Sequence, residues 1–508
     1  MLDVIQTNRR CAFCEKREFQ VAYLIAGPAS FICDECVSSA SNLLDEHNTQ
    51  KTSAPHPLRI GTNPDQFIHI LLKKHFHPSD VSQLESSSRV FPLRMRADLQ
   101  KVLNRMLNSR EGVYFTGLNL GYAYQTCTIS TLLDETRDPA TIAPPRYEEV
   151  DIGEAESVRC LENGLWLVSD GDFQYAVLLA PAQEFGRETG SHLEIAVPAG
   201  ERGRAIAADI FSLAEAAIAE ATSYRGKVLS LESGDPYSGK STGVKVHRLD
   251  PVRSEDLVLP AATVELLKRN VIDFAMQRKA LAAFKMPLKK GLLFYGPPGT
   301  GKSFTIRYLA QSLPDHTTLL VTAEQIGLIQ EYIALARLLQ PSLLVIEDAD
   351  LIARDRNAMS SPCEEVMLNR LLNEMDGLAE DAELIFVLST NRPEALEAAI
   401  ASRPGRIDQA IEFPLPDEAG RKQLARVYAR GVPISDAVIE AIARKTKNVS
   451  AAFIKELMRR STQFYLERGG SGAIALQDID AALTEMLFTG GRLNTTLLGG
   501  SIEASPSP

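Results

Sequence analysis

Apolar and polar positions change period several times along the chain, and each change marks a unit. From about residue 148 to 232, WLVSD, YAVLLA, HLEIAV and KVLSLE read as strands, while Gly203–Ala221 places its apolar residues at helical spacing. Residues 60–140 carry helical patterning, clearest at Leu93–Leu107, and lead into a turn-rich loop ending at Pro144–Pro145. The connector VHRLDPVRSEDLVLP opens the largest unit, about 255–489. There GLLFY, Leu343–Ile346 and Leu384–Thr390 read as apolar strands, SFTIRYLAQSL as an amphipathic helix, and more helices follow Pro416. The polar stretch Asn48–Pro57 reads as a linker, and Gly490–Pro508, rich in Gly, Ser and Thr, as a disordered tail. No internal repeat occurs.

Composition narrows the class. The chain has 508 residues, 45% of them apolar, which sets a soft expectation of about three domains with packed cores. Its net charge of -11, with acids and bases interleaved, argues against a general nucleic-acid binder. No run of uninterrupted apolar residues is long enough for a transmembrane helix, and MLDVIQTNRRC lacks the apolar region of a signal peptide. Of the seven cysteines, Cys11, Cys14, Cys33 and Cys36 form two close pairs, and Cys127, Cys160 and Cys363 are scattered. This usage suits metal binding plus packed thiols in a reducing cytoplasm.

Two stretches match G-x-x-x-x-G-K-[ST], namely Gly234–Ser241 (GDPYSGKS) and Gly296–Ser303 (GPPGTGKS). The motif binds phosphate only between a strand and a helix, where successive N–H groups and the helix N-terminus converge. Gly296, Pro297, Pro298, Gly299, Thr300, Gly301, Lys302, Ser303 and Phe304 have that context. Gly234–Ser241 is followed by TGVKVHRL, which alternates like a strand, and reads as a chance turn. In the phosphate loop Lys302 meets the β and γ oxygens of ATP, and the Ser303 hydroxyl binds Mg²⁺.

Leu343–Ile346 ends in Glu347–Asp348. A strand of this kind lies beside the phosphate loop, its first acid holding Mg²⁺ through water and its second polarising the attacking water. Glu347 reads as the metal-side acid and Asp348 as the base, in an order reversed from the usual Asp-Glu. Leu384–Thr390 delivers Asn391, whose amide can hold that water. SRPGRID follows at Ser402–Asp408. Together GPPGTGKS, LLNEMDGL, STNRPEAL and SRPGRIDQAIEFPLPD resemble the AAA clade of AAA+ ATPases that includes FtsH and Cdc48-type proteins, over about 255–489. The resemblance implies an α/β fold with a parallel P-loop sheet and a helical lid. It makes Arg403 and Arg406 arginine fingers reaching the neighbouring subunit's nucleotide, and so implies a homo-oligomeric ring, expected to be a hexamer. Asp376–Leu378 resembles the family's intersubunit signalling segment, and Ser450–Ala452 falls where the family has small residues near the nucleotide.

Two family features are missing. Thr322–Tyr332 (TAEQIGLIQEY) lacks the aromatic-hydrophobic-Gly pore motif, and no H-E-x-x-H occurs, so the FtsH protease half is absent.

Cys11-x2-Cys14 and Cys33-x2-Cys36, eighteen residues apart, have the spacing of one tetrahedral Zn²⁺ with four thiolates. RRCAFCEKREFQVAYLIAGPASFICDECV resembles the ClpX-type zinc-binding domain, which implies dimerisation and the capture of adaptors or unfolded clients. Partnership with a ClpP-type peptidase does not follow. Ile326-Gly327-Leu328 resembles a peptidase-docking tripeptide and is read as coincidence. His75-Phe76-His77 lacks further ligands at useful spacing, and Trp166 reads as core.

These readings predict a zinc domain at 1–50, a linker and helical region at 51–147, an α/β or α+β region at 148–250, a nucleotide-binding subdomain at 255–417, a lid at 418–489 and a tail at 490–508. The leading expectation is a cytoplasmic ATPase that remodels a protein client held by the zinc unit. A nucleotide-switched scaffold with little turnover is the alternative. A DNA-directed motor is disfavoured by the acidic balance.

Overall fold

The computed structural model describes residues 10–14, 16, 21, 23–26, 30–37, 59–60, 67–108, 110–120, 125–136, 139–184, 186–232, 243–352, 373–374, 377, 380–394 and 406–489. Near the N-terminus, β1 (Leu24–Ala26) and β2 (Phe31–Cys33) form an antiparallel pair that places Leu24 opposite Cys33.

A middle sheet follows, with helices on both faces. Its elements are α1 (Ile68–Phe76), β3 (Leu84–Pro92), α2 (Arg96–Leu103), β4 (Val113–Asn119), β5 (Gly164–Asp170), β6 (Phe173–Glu184), β7 (Arg187–Pro198) and α3 (Glu201–Glu220). The strands run in the order β4-β5-β6-β7-β3, with Arg59–Ile60 and Thr141–Ala143 added beside β4. Strand β5 shows how two cores arise from one period of two. Trp166 and Val168 point into a cluster with α2 and α3, whereas Leu165 and Leu167 point into one with α1. Trp166 stacks on Phe115 at 4.9 Å and donates to Asn108 Oδ1 at 3.2 Å, so it is core, as its setting predicts. The stretches 51–147 and 148–250 therefore share one sheet, because β3 and β4 find their partners in β7 and β5. Pairing between strands so far apart in sequence leaves no local signal.

The largest unit is a second sheet built from β8 (Val228–Leu231), β9 (Val244–His247), β10 (Lys290–Tyr295), β11 (Thr317–Val321), β12 (Ser342–Ile346), β13 (Leu384–Thr390) and β14 (Gln409–Glu412), in the order β9-β8-β11-β12-β13-β10-β14. All neighbours are parallel except the β8–β9 hairpin. Every residue of β12 and β13 is buried, as expected when both faces of a parallel sheet are covered. One face packs on α5 (Ile329–Leu338) and the other on α4 (Lys302–Ser312). The hairpin comes from before residue 250, so the sheet runs across the boundary expected between 250 and 255. Residues 234–241, the first phosphate-loop match, lie outside the described residues, and the strands on either side of them, β8 and β9, pair antiparallel.

Four helices complete the C-terminal unit, α6 (Glu418–Tyr428), α7 (Asp436–Lys445), α8 (Ala451–Glu467) and α9 (Leu476–Thr484), around their own core of Leu424, Ile442, Phe453, Leu457 and Ile479. Among the described residues no helix is long and apolar enough to cross a membrane.

His316 precedes β11 and is 5% exposed. Burial, aided by the nearby Arg278 charge, pushes its imidazole from 6.5 down to about 4. Between those values the unfolded chain takes up a proton that the folded chain refuses. Its contribution to stability is therefore complete above about 6.5 and is lost as pH falls toward 4. Urea midpoints should drop less steeply between pH 7 and 4.5 in His316→Gln than in the parent. Identical slopes would refute this assignment.

Candidate nucleotide site and metal centre

The loop between β10 and α4 is shaped by glycines that other residues cannot replace. Gly296 has φ 147°, and a Cβ there would lie 2.2 Å from the Phe413 carbonyl oxygen. Gly299 has φ 75°, and a Cβ there would strike Ala452 and Ser450 at the start of α8. The loop is thus clamped between β14 and the lid, and the Ala452 N–H donates to Gly299 O at 3.1 Å. Ser450 caps α8 by accepting from Phe453 N.

A cavity of about 350 Å³ opens between this loop and the lid. It is lined by Pro298 to Thr305 and Arg307, by Asp348, Ser389 and Asn391 at the strand ends, by Asp256–Leu259 from the connector, and by Leu424, Tyr428, Ala451, Ala452 and Lys455 from the lid. Lys302 is buried, and its ammonium donates to Gly296 O at 2.7 Å and Pro297 O at 3.0 Å. Burial pushes the amine down to about 8, against the pull of Asp348 and Asp350. Thr300 closes the loop by donating to Pro297 O at 2.9 Å.

At the end of β12 the chain turns through Asp348, which has φ 50°. A non-glycine residue in the left-handed region is uncommon, although Asp tolerates it better than most, and such positions recur where a side chain must be aimed. Asp348 Oδ1 accepts from Asn391 Nδ2 at 3.1 Å, and its N–H donates to Ser389 Oγ at 3.3 Å. Asp348 and Asn391 therefore meet on the cavity wall. Glu347 is half-buried one residue earlier, where its N–H continues the ladder to Val321 O at 3.0 Å. Asp350 is a residue the sequence reading passed over. It is buried and accepts from Thr390 Oγ1 at 3.0 Å and Asn391 N at 3.2 Å, fixing the strand end that carries Asn391. Its signal is the acid two positions after Asp348 in EDAD. The lining residues Tyr428 and Lys455 carried no sequence signal, since only the lid's approach brings them in.

These residues fit a nucleoside triphosphate with its magnesium. The loop offers a backbone cradle that a Cβ would fill, the exposed Ser303 hydroxyl lies beside it, and one amine and one carboxylate face the same space.

Arg406, expected to reach the neighbouring subunit's nucleotide, turns toward its own chain here. It is 9% exposed, with a terminal nitrogen 3.4 Å from Asn373 Oδ1. Two residues on, Asp408 accepts from Gly291 N at 2.7 Å, so the start of β14 draws the turn against β10. Arg403, Asp376 and Leu378 lie outside the described residues.

The segment at the pore position also turns inward. Tyr332 is fully buried, its hydroxyl accepting from Leu231 N at 2.8 Å and lying 3.0 Å from both Leu320 O and Gln325 Oε1. Ile326 is buried as well, so the triplet Ile326–Leu328 is not displayed as a docking tripeptide.

The sulfurs of Cys11, Cys14, Cys33 and Cys36 all lie within 4.8 Å of one another. Zn–S bonds of about 2.3 Å in a tetrahedron put the sulfurs about 3.8 Å apart, so the cluster fits zinc. Cys11 Sγ accepts from Phe13 N at 3.4 Å and Cys33 N at 3.3 Å, the backbone support a thiolate needs. Among the described residues no other metal-ligand group forms, and His75 instead lies 3.1 Å from Tyr175 O. Cys127 and Cys160 are buried, and burial pushes each thiol up to about 11, which suits packing. Cys363 lies outside the described residues.

Comparison with known proteins agrees with both centres. Residues 292–415 match the model of the ATPase family associated with various cellular activities (AAA), and residues 9–46 match the ClpX C4-type zinc finger. The ATP-dependent zinc metalloprotease FtsH 2 of Symbiobacterium thermophilum is 30% identical over 234 residues, 44% of this chain and 40% of that protein. FtsH 2 of Salinibacter ruber is 31% identical over 43% of this chain and 34% of its own length. Protein SAV of Sulfolobus acidocaldarius is 30% identical over 46% of this chain and 32% of its own length. The chain thus spans less than half the length of these relatives.

Proposed function

The chain carries an AAA ATPase module behind a ClpX-type C4 zinc finger, with ATP, Mg²⁺ and Zn²⁺ as its cofactors, and from that premise we propose a ring-forming ATPase that remodels a protein client held by the zinc unit. One observation carries this reading. A single cavity brings Lys302, Ser303, Asp348 and Asn391 together under the lid, and a lid in contact with the loop can report the state of the nucleotide. Magnesium, when bound, neutralises charge on the phosphates. Ser303 and Glu347 would hold it. Asp348 orients and accepts a proton from the attacking water, Asn391 keeps that carboxylate aimed, and Lys302 binds the β and γ phosphates. Arg403 would stabilise the transferring phosphoryl group of the neighbouring subunit. Arg406, held by its own subunit at Asn373, would anchor the turn that presents it.

Exposed Phe13, Tyr23 and Ile25 on the zinc unit provide the apolar surface that client or adaptor binding, or pairing of zinc units, requires. A second reading rests on Tyr332. With that aromatic locked in the core, no pore aromatic from this segment grips a polypeptide, which favours a nucleotide-switched scaffold over a threading machine.

The test is turnover per subunit against protein concentration. It should rise as rings assemble. Arg403→Ala should bind ATP normally and hydrolyse little of it, and mixing it with Lys302→Ala should restore part of the activity, since some mixed interfaces then hold an intact loop and an intact arginine. Turnover that stays flat while the protein is monomeric would favour neither a ring nor a trans arginine.

A further inference from the structure

Strand β3 ends the middle sheet. It pairs with β7 from Leu84 opposite Pro198 to Pro92 opposite Gly190, and its other edge meets no strand among the described residues. Open edges are normally blunted by shortness, a bulge, Pro, or charges left free on the strand, whereas the two charges of β3, Glu85 and Arg89, are taken up by α3. This one runs nine residues in unbroken register, with Pro only at its last position and an exposed run, Ser86-Ser87-Ser88, at its centre. Glu85 and Arg89 flank the serines on the side of α3. Glu85 pairs with Arg204 at 3.1 Å, and Arg89 pairs with Glu215 and lies over the Phe211 ring at 4.7 Å. On the other side stand half-buried Leu84 and Val90, which is 58% exposed.

The order Leu84-Glu85-Ser86-Ser87-Ser88-Arg89-Val90 is complementary to itself when reversed. Facing residues in an antiparallel pair share the same hydrogen-bonding phase, so a two-fold axis between two copies must pass through a residue. Centred on Ser87, Glu85 faces Arg89, Leu84 faces Val90, and serines fill the middle. Centred on Ser86 or Ser88, each charge faces a neutral residue (Ser87 in both cases, with Gln83 or Phe91 completing the set). One register therefore satisfies both the charges and the apolar ends.

We propose that β3 pairs antiparallel with β3 of a second copy of this chain, about a two-fold axis at Ser87. Each end of the contact then carries four charges in alternating sign, Arg204, Glu85, then Arg89 and Glu215 of the other copy. Such a contact closes on itself and cannot propagate, unlike the head-to-tail contacts of a ring. It links subunits in pairs, within one ring or between two, and it depends on neither ATP turnover nor a client.

The experiment uses full-length, zinc-loaded, nucleotide-free protein under mild oxidation. Facing Cα atoms in an antiparallel pair lie about 4.5–5.5 Å apart, within disulfide reach, whereas two Ser88 positions would be displaced diagonally beyond about 7 Å. Ser87→Cys should form a reducible dimer at least about tenfold faster than Ser88→Cys or the parent. Ser87→Lys, which sets two like charges on the axis, should halve the mass of the nucleotide-free species in sedimentation while leaving ATP binding unchanged. Equal crosslinking of Ser87→Cys and Ser88→Cys would overturn the proposal. So would a Ser87→Lys variant of unchanged mass that loses a client, since the edge would then receive an extended client segment.

Discussion

Lys302→Ala will bind ATP roughly 100-fold more weakly than the parent, as expected for losing a charge-assisted contact to phosphate worth about 2–3 kcal/mol. The free protein should hardly notice the change. Lys302 is buried with burial opposing its charge, and its ammonium donates to two carbonyls of its own loop, so alanine removes a costly ammonium along with two hydrogen bonds. The thermal midpoint without nucleotide should therefore stay within a few degrees of the parent's, while the rise on adding ATP and Mg²⁺ disappears. Lys240→Ala should keep that rise, because its stretch joins two antiparallel strands. Titration with a fluorescent ATP analogue measures both variants. Equal losses from the two substitutions would mean that the strand-to-helix context does not select the phosphate site.

Removing zinc should have a larger effect in a different part of the chain. Among the described residues of the N-terminal unit, Cys11 and Cys33 are the buried side chains, while Phe13, Tyr23 and Ile25 are exposed at 76%, 74% and 52%. With Phe13 and Tyr23 in water, the described residues offer little core, so the metal must provide the unit's folding energy. Structural zinc supplies about 10–16 kcal/mol in comparable small units. Fresh reduced protein should carry one Zn²⁺ per chain. Cys33→Ser should release it and melt the β1–β2 hairpin, seen as loss of amide protection there, while ATP affinity remains at the parent value. Protein without zinc that keeps a protected hairpin would refute the assignment.

Sequence alone settled what depends on neighbours along the chain. GPPGTGKS between an apolar strand and an amphipathic helix specified the phosphate loop, because positive φ at Gly296 and Gly299 and a helix N-terminus are local requirements. The two C-x2-C pairs specified the metal, since four thiolates at that spacing have few other uses. The buried strands β12 and β13 were readable as uninterrupted apolar runs. Tertiary structure decided whatever rests on contacts between distant segments. It joined 51–147 to 148–250 in one sheet, carried the β8–β9 hairpin onto the parallel sheet, turned Arg406 inward to Asn373, and buried Tyr332 against Leu231. It also set Asp350 under Thr390 and Asn391 and brought Lys455 and Tyr428 over the phosphate loop. Local periodicity says which side of an element is apolar, but not which other element will cover it. A strand edge, a buried arginine and a lid residue acquire their roles only when that partner arrives.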